Sequence, residues 1–235
     1  MPKAVVIDLS HHNTIPSSLA PAKASGIVGV IHKVTEGTTY VDDKVAARYD
    51  LAKKAGMMWG LYHFVRPGKM KEQVINFLSN SRAVSDSNTL FVLDYEDTGV
   101  SLDDCVKFLN AVEVLTKRLP VIYSGHVLKE KLNGKADPRL SKYPLWLAQY
   151  GPEAEVPPGW DTYWLWQFTE DGSCPGINPP VDLNACAGSV QQLIEDWTGG
   201  EAPTPAPTPE AVVKVNVEAP EGIVVEVSVN RVKVK

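Results

Sequence analysis

Eight short apolar runs recur along the chain, at 4–9, 28–33, 58–64, 89–93, 120–123, 144–149, 162–168 and 180–183. The first five are separated by stretches long enough for a helix, such as 41–55, 69–85 and 102–118, each with apolar residues at helical spacing. Alternating strand and helix predicts a parallel sheet, and eight strands predict that it closes on itself. The later gaps differ. Pro152, Pro157, Pro158 and Gly159 fill one, and Gly172, Pro175, Gly176 and Pro179 the next, so neither offers a helix. The expected fold is therefore α/β, an irregular TIM-like (β/α)5(β)3 barrel in which five β/α units are followed by three strands joined by loops.

After Trp197 the composition changes to a run rich in Pro, Thr and Ala, read as an extended, polyproline-like linker over 198–210. Beyond it Val213, Val215 and Val217 alternate with Lys214, Asn216 and Glu218, and Val225, Val227 and Val229 alternate again after Ala-Pro-Glu-Gly. This predicts a short C-terminal β-hairpin tail over 211–235 with one valine face. An isolated hairpin cannot bury such a face, so the expectations are docking back on the barrel or staying loose, against a homo-oligomer formed through the tail or a cell-wall contact. The barrel itself is assigned to 1–197.

The 235 residues are 44% hydrophobic and 22% charged, with a formal net charge of -5, an ordinary globular balance. Lys and Arg are scattered, which excludes a phosphate-backbone contact and hence nucleic acid as partner. No run approaches the roughly 18 apolar residues of a membrane span, so no membrane partner is expected. The N-terminus enters a strand directly, without the basic and apolar regions of an ordinary signal peptide. Cys105, Cys174 and Cys186 lack zinc-ligand spacing and are read as free thiols, with a Cys174 to Cys186 disulfide as the alternative.

The strand at 89–93 delivers Asp94 and Glu96, whose spacing of two puts both on one face of an extended chain. Their Cα atoms are then about 6 to 7 Å apart, close enough for the side chains to flank one scissile bond, as glycoside hydrolysis requires. An isolated Asp-x-Glu could equally solvate a strand end or hold a cation. In a β/α barrel, however, the C-terminal strand ends form the site. Those ends supply Asp8, Lys33 to Glu36, Tyr62 and His63, Tyr123, Gln149, Gln167 and Asp182 as well. Four acids, Asp8, Asp94, Glu96 and Asp182, would meet in one cleft, where mutual repulsion raises at least one pKa toward neutrality. Trp146 and one of Trp164 and Trp166, taken as Trp166, would offer flat faces for sugar rings. His11, His12, His32 and His63 lack the helical spacing of a zinc site, no Gly-x-Ser-x-Gly is present, and no glycine loop cradles phosphate, so neither metal nor cofactor is expected.

The six segments Ile7-Asp8-Leu9-Ser10-His11-His12, Lys33-Val34-Thr35-Glu36-Gly37, Tyr62-His63-Phe64, Asp94-Tyr95-Glu96, Leu145 to Tyr150, and Trp166 to Thr169 through Val181-Asp182-Leu183-Asn184 occur in order over 3–197. Together they resemble the family 25 glycoside hydrolases, the Chalaropsis-type lysozymes, many of which are bacteriophage endolysins. The resemblance implies hydrolysis of the β-1,4 bond between N-acetylmuramic acid and N-acetylglucosamine in peptidoglycan, the glycan strands being the partner. It makes Glu96 the general acid, Asp94 its partner, and Asp8 and Asp182 the flanking acids. Tyr62, Phe64, Tyr123, Trp146, Gln149, Trp166 and Gln167 are the expected substrate contacts. For Asp94 two roles stand open: orienting the substrate's 2-acetamido group as nucleophile, or activating water. An endolysin would be held in the host cytoplasm until released to the wall, the alternative being secretion by an unrecognised route. A non-catalytic carbohydrate-binding or virion structural module on the same barrel is the competing reading. Cys186 and the stiff Asn178-Pro179-Pro180 loop depart from the family's usual pattern without touching the acids.

Overall fold

The computed structural model describes residues 2–15 and 17–199. The linker beyond Gly199 and the hairpin read over 211–235 lie outside the described residues. Within them the elements run β1 (Val6–Leu9), α1 (Ala20–Ala24), β2 (Gly29–Glu36), β3 (Tyr40–Val41), α2 (Val45–Lys54), β4 (Met58–Phe64), α3 (Met70–Ser81), β5 (Leu90–Asp94), α4 (Leu102–Thr116), β6 (Val121–Ser124), α5 (His126–Leu132), α6 (Pro138–Ser141), β7 (Leu145–Ala148), β8 (Leu165–Gly172), β9 (Val181–Cys186) and α7 (Val190–Thr198). The sheet order is β1-β9-β8-β7-β6-β5-β4-β2-β3, and a β1 to β2 pairing closes eight strands into a barrel with β3 appended to β2. Helices follow each of the first five barrel strands, and β7, β8 and β9 carry none between them. The (β/α)5(β)3 pattern read from the sequence is thus the architecture observed.

The last strand runs antiparallel to both its neighbours, β8 and β1. Its direction follows from the connection. A parallel return needs a crossover of about a dozen residues or more, and the segment 173–180 is too short to make one. Helix starts differ from the sequence reading where side chains intervene. The stretch from 41 does not enter a helix at once, because Tyr40–Val41 pairs with β2 and Asp42 accepts from the Lys44 and His11 backbones. In α4, Ser101 caps the Asp104 N–H, and Cys105, Phe108, Leu109 and Val112 form the buried stripe at i, i+3, i+4, i+7.

Two layers make the core. Ile7, Val30, Leu61, Leu93, Ile122 and Leu147 point outward under the helices. Val6, Ile31, Leu90, Val92, Val121 and Leu165 point inward and fill the barrel. The floor of the barrel is closed by α7, which the sequence reading leaves unassigned although Ser189 caps it and Gly199 ends it in the left-handed region. Its Trp197 is fully buried, and the indole N–H donates to the Trp59 carbonyl at 3.1 Å. Gly29 and Gly60 make room for the ring, since a Cβ at either would lie 3.1 Å from an indole carbon. The helix extends one residue past the proposed barrel limit, so Thr198 belongs to the folded body.

Replacing Trp197 with Ala is expected to cost about 3 to 5 kcal/mol, because the barrel floor cannot collapse around so large a void. Urea unfolding followed by tryptophan fluorescence checks this, and a loss below about 1 kcal/mol would show that α7 is not part of the core.

Candidate active site

The inward parity that buries Val6, Val92 and Leu165 at the barrel's middle presents Asp8, Asp94 and Gln167 one step nearer its C-terminal mouth. They open into a cleft of about 260 Å³ lined by Asp8, Tyr62, Asp94, Glu96, Tyr123, Trp146, Tyr150, Gln167, Glu170 and Asp182. Asp8 and Asp182 are direct partners in the β1 to β9 register, which faces their carboxyls toward each other. The antiparallel turn of β9 is what brings Asp182 there. Asp94 ends β5, opposite Tyr123 on β6, and Glu96 follows two residues on.

Burial dominates the electrostatics. Loss of water around Asp8 pushes its carboxyl up to about 6, held from rising further by hydrogen bonds from Asn184 and Gln167. Asp182, half-buried and repelled by Asp8, is pushed up to about 8. Burial and then the charge of Glu96 raise Asp94 well above the usual carboxylate range, and burial raises Glu96 too, although the hydrogen bond between them lowers it. Each pair therefore shares a proton near neutral pH. The Lys33 ammonium works against both rises on the second pair, and itself bonds Glu36 at 2.6 Å. Asp94 Oδ1 is buried with no hydrogen-bond partner among the described residues.

A continuous set of hydrogen bonds holds the first pair. Tyr123 and Tyr150 hydroxyls donate to Gln167 Oε1 at 2.8 and 3.2 Å, and Gln167 Nε2 donates to both Asp8 oxygens at 3.1 Å. Trp146 Nε1 donates to Asn184 Oδ1 at 2.7 Å, and Asn184 Nδ2 donates to Asp8 Oδ2 at 2.8 Å. The Tyr123 and Trp146 rings pack with centroids 4.5 Å apart on the cleft wall.

Of the residues named from sequence, Asp8, Tyr62, Asp94, Glu96, Tyr123, Trp146, Gln167 and Asp182 come together here. Trp166 does not. Residues two apart on a strand share a face, and because Leu165 and Gln167 face inward, Trp166 turns outward against Tyr163 and Phe168 while its N–H donates to the Gln149 carbonyl. Trp164 lies against Trp197 at the opposite end of the barrel. Gln149 is also outside the cleft lining, its side chain accepting from Lys129 and bonding the 153–155 backbone. Phe64 stands at the rim beneath Arg66, whose guanidinium lies 4.6 Å from the ring. Gln167 reaches the cleft, but both ends of its amide are already engaged.

Glu170, Tyr150 and Asn184 belong to the site without having been singled out. Asn184 could have been found by parity, standing two residues from Asp182. Glu170 could not: plain alternation from Gln167 would turn Thr169 inward, but the register shift between Gln167 and Thr169 sets Thr169 opposite Leu183 and delivers Glu170 instead. The three cysteines are free.

A closed β/α barrel whose C-terminal mouth gathers buried, proton-sharing carboxylates beside aromatic rings has the layout that glycoside hydrolysis requires. A family model described as glycosyl hydrolases family 25 matches residues 7–177. Lysozyme M1 of Streptomyces globisporus is 31% identical over 204 residues, which is 80% of this chain and 69% of that protein. The crystal structure of the bacterial lysozyme from Streptomyces coelicolor is 30% identical, with a TM-score of 0.75 over 85% of this chain and 99% of that one. The CTP1L endolysin is 28% identical, with a TM-score of 0.69 over 83% of this chain and 70% of its own. The chain belongs to family 25 of the glycoside hydrolases.

The raised carboxyls fix a pH dependence. In the unfolded chain Asp182 ionises near 3.8, while the folded group stays protonated to about 8, so folding binds protons between these values and stability falls as pH rises through that window. Asp182→Asn removes this cost. Its stability relative to wild type is expected to improve from pH 4 to pH 8 by about 1 to 2 kcal/mol after screening at the half-exposed site. Urea midpoints at the two pH values check it, and a constant difference would contradict the shared proton.

Proposed function

We propose that the enzyme is an N-acetylmuramidase, cleaving the β-1,4 bond between N-acetylmuramic acid and N-acetylglucosamine in peptidoglycan. The observation that carries this reading is the unpartnered Asp94 Oδ1 beside Glu96. A buried carboxyl oxygen without a donor is costly, and the N–H of a 2-acetamido group is a donor of the right kind. Asp94 holds the proton of the pair and donates it toward Glu96. An acetamido N–H on Oδ1 favours the Asp94 anion, so the proton passes to Glu96, which is thereby charged as general acid beside the glycosidic oxygen. The acetamido oxygen, oriented by Asp94, attacks the anomeric carbon as the leaving-group bond breaks. Glu96 then returns as base for the water that opens the cyclic intermediate. Asp8 and Asp182 flank the sugar, and Trp146, Tyr123 and Tyr62 supply its wall.

The lysozymes among the relatives support the substrate class. The finer role we assign is that of a phage or prophage endolysin, stored in the host cytoplasm and released to the wall at lysis. The likeness to the CTP1L endolysin supports it. Fractionation of the native host culture separates this from a secreted lysozyme: activity confined to cells until lysis supports the endolysin, and activity in the medium of intact cells overturns it.

Glu96→Gln keeps the shape and removes the transferable proton, and is expected to lower kcat on purified peptidoglycan by about 10² to 10⁴. Mass spectrometry of the soluble fragments separates three outcomes. Fragments with N-acetylmuramic acid at the reducing end, lost in the variant, fit the proposal. N-acetylglucosamine ends would make the enzyme a glucosaminidase, and binding without fragments across pH 4 to 8 would make it a carbohydrate-binding module.

A further inference from the structure

We propose that Gln167 and Asn184 are positioning residues that act through Asp8: their amide hydrogen bonds hold Asp8 as the anion, so that the proton of the Asp8 and Asp182 pair resides on Asp182 and the pair meets the sugar with a single negative charge fixed on Asp8. This rests on the cleft being the site of glycoside hydrolysis, and deepens that reading by assigning charge states to the two flanking acids.

Both amides turn their N–H ends to Asp8, and for Asn184 the far end dictates it. Gln167 Oε1 accepts from the Tyr123 and Tyr150 hydroxyls while Nε2 lies 3.1 Å from both Asp8 oxygens. Asn184 Oδ1 accepts from the Trp146 indole, which has only a donor to give, so Nδ2 must face Asp8 and the Val6 carbonyl. The Asn184 amide cannot flip without leaving the indole hydrogen facing an N–H group. Asp8 therefore receives donors on both oxygens and is itself buried. Among the described residues Asp182 receives no amide donor of this kind, and it is the more exposed of the two. Donors that bind the charged form stabilise it, and the partner facing an anion at close range keeps the proton.

The other groups facing the pair do not reverse this order. Glu96, just beyond β5, raises Asp8, Glu170 on β8 raises Asp182, and Tyr62, Tyr123 and Tyr150 are held neutral by burial. Lys33 on β2 acts on the Asp94 and Glu96 pair. The ordering of about 6 for Asp8 and about 8 for Asp182 agrees with the geometry. At pH 7 the pair then carries one proton, held on Asp182 in its hydrogen bond to Asp8, and one fixed negative charge, suited to the positive charge that develops at the anomeric carbon.

The test is a pH titration of full-length protein carrying ¹³C-labelled Asp carboxyls, read by NMR without substrate, with Asp182→Asn assigning the signals. In wild type at pH 7, Asp182 is expected in the protonated range and Asp8 in the ionised range. Gln167→Met, which keeps the volume and removes the donor, should raise the Asp8 midpoint by about one pH unit. The acid limb of kcat/KM on purified peptidoglycan should move by the same amount, with KM changed less than about twofold. Tyr123→Phe combined with Tyr150→Phe leaves the amide in place but frees it to turn, and should move the Asp8 midpoint in the same direction by a smaller amount, so a poorly folding methionine variant does not remove the test. Asp8 protonated and Asp182 ionised in wild type would overturn the proposal, as would unchanged midpoints in both variants. Because the titration needs no substrate, the expected midpoints without peptidoglycan cleavage would sink the substrate reading and leave the assignment of charge standing.

Discussion

Withdrawal of water from four carboxyls at the mouth of a closed barrel is the constraint on which the rest of this enzyme depends. Four independent anions could not occupy one buried cleft, and the fold resolves the conflict by pairing them. Asp8 faces Asp182 across two antiparallel strands, and Asp94 lies beside Glu96 at a strand end. Each pair keeps a proton that isolated carboxyls would have lost well below neutral pH. The same desolvation that weakens the fold at high pH supplies acids able to donate at the pH where a wall hydrolase would work.

The remainder of the barrel serves to keep that cleft open at one end and sealed at the other. Trp197 fills the floor, made possible by glycines at 29 and 60, so side chains at the mouth rest on a packed interior. The short 173–180 connection forces β9 to run backward, and only in that direction does its register set Asp182 against Asp8 and Asn184 behind it. A loop length thus decides a charge pairing.

Much of this was legible in the sequence because strand periodicity carries it. Apolar runs ending in polar residues located seven of the eight cleft residues named above on their strands, with Glu96 just beyond one, and turn residues marked the gaps without helices. Periodicity failed where the chain departs from it. The bulge after Gln167 moves Glu170 into the cleft and cannot be counted from composition, and strand direction depends on pairing that no single run encodes. Trp166 was misplaced although parity argued against it, since Gln167 and Trp166 cannot both face inward. The roles within the site were the least legible part: Gln167 looks like a sugar ligand in sequence, and only its two tyrosine donors and the carboxylate it clamps show an amide already fully used.

The measurement that bears most directly on the central claim, that paired carboxyls sharing protons direct an acetamido-assisted cleavage, is the anomeric configuration of the first-formed product. Proton NMR of a short peptidoglycan fragment during the first minutes of hydrolysis reads it before mutarotation. The β anomer, retained from the β-1,4 bond, is the result this account predicts; the α anomer would mean that Asp94 activates water directly and would contradict it.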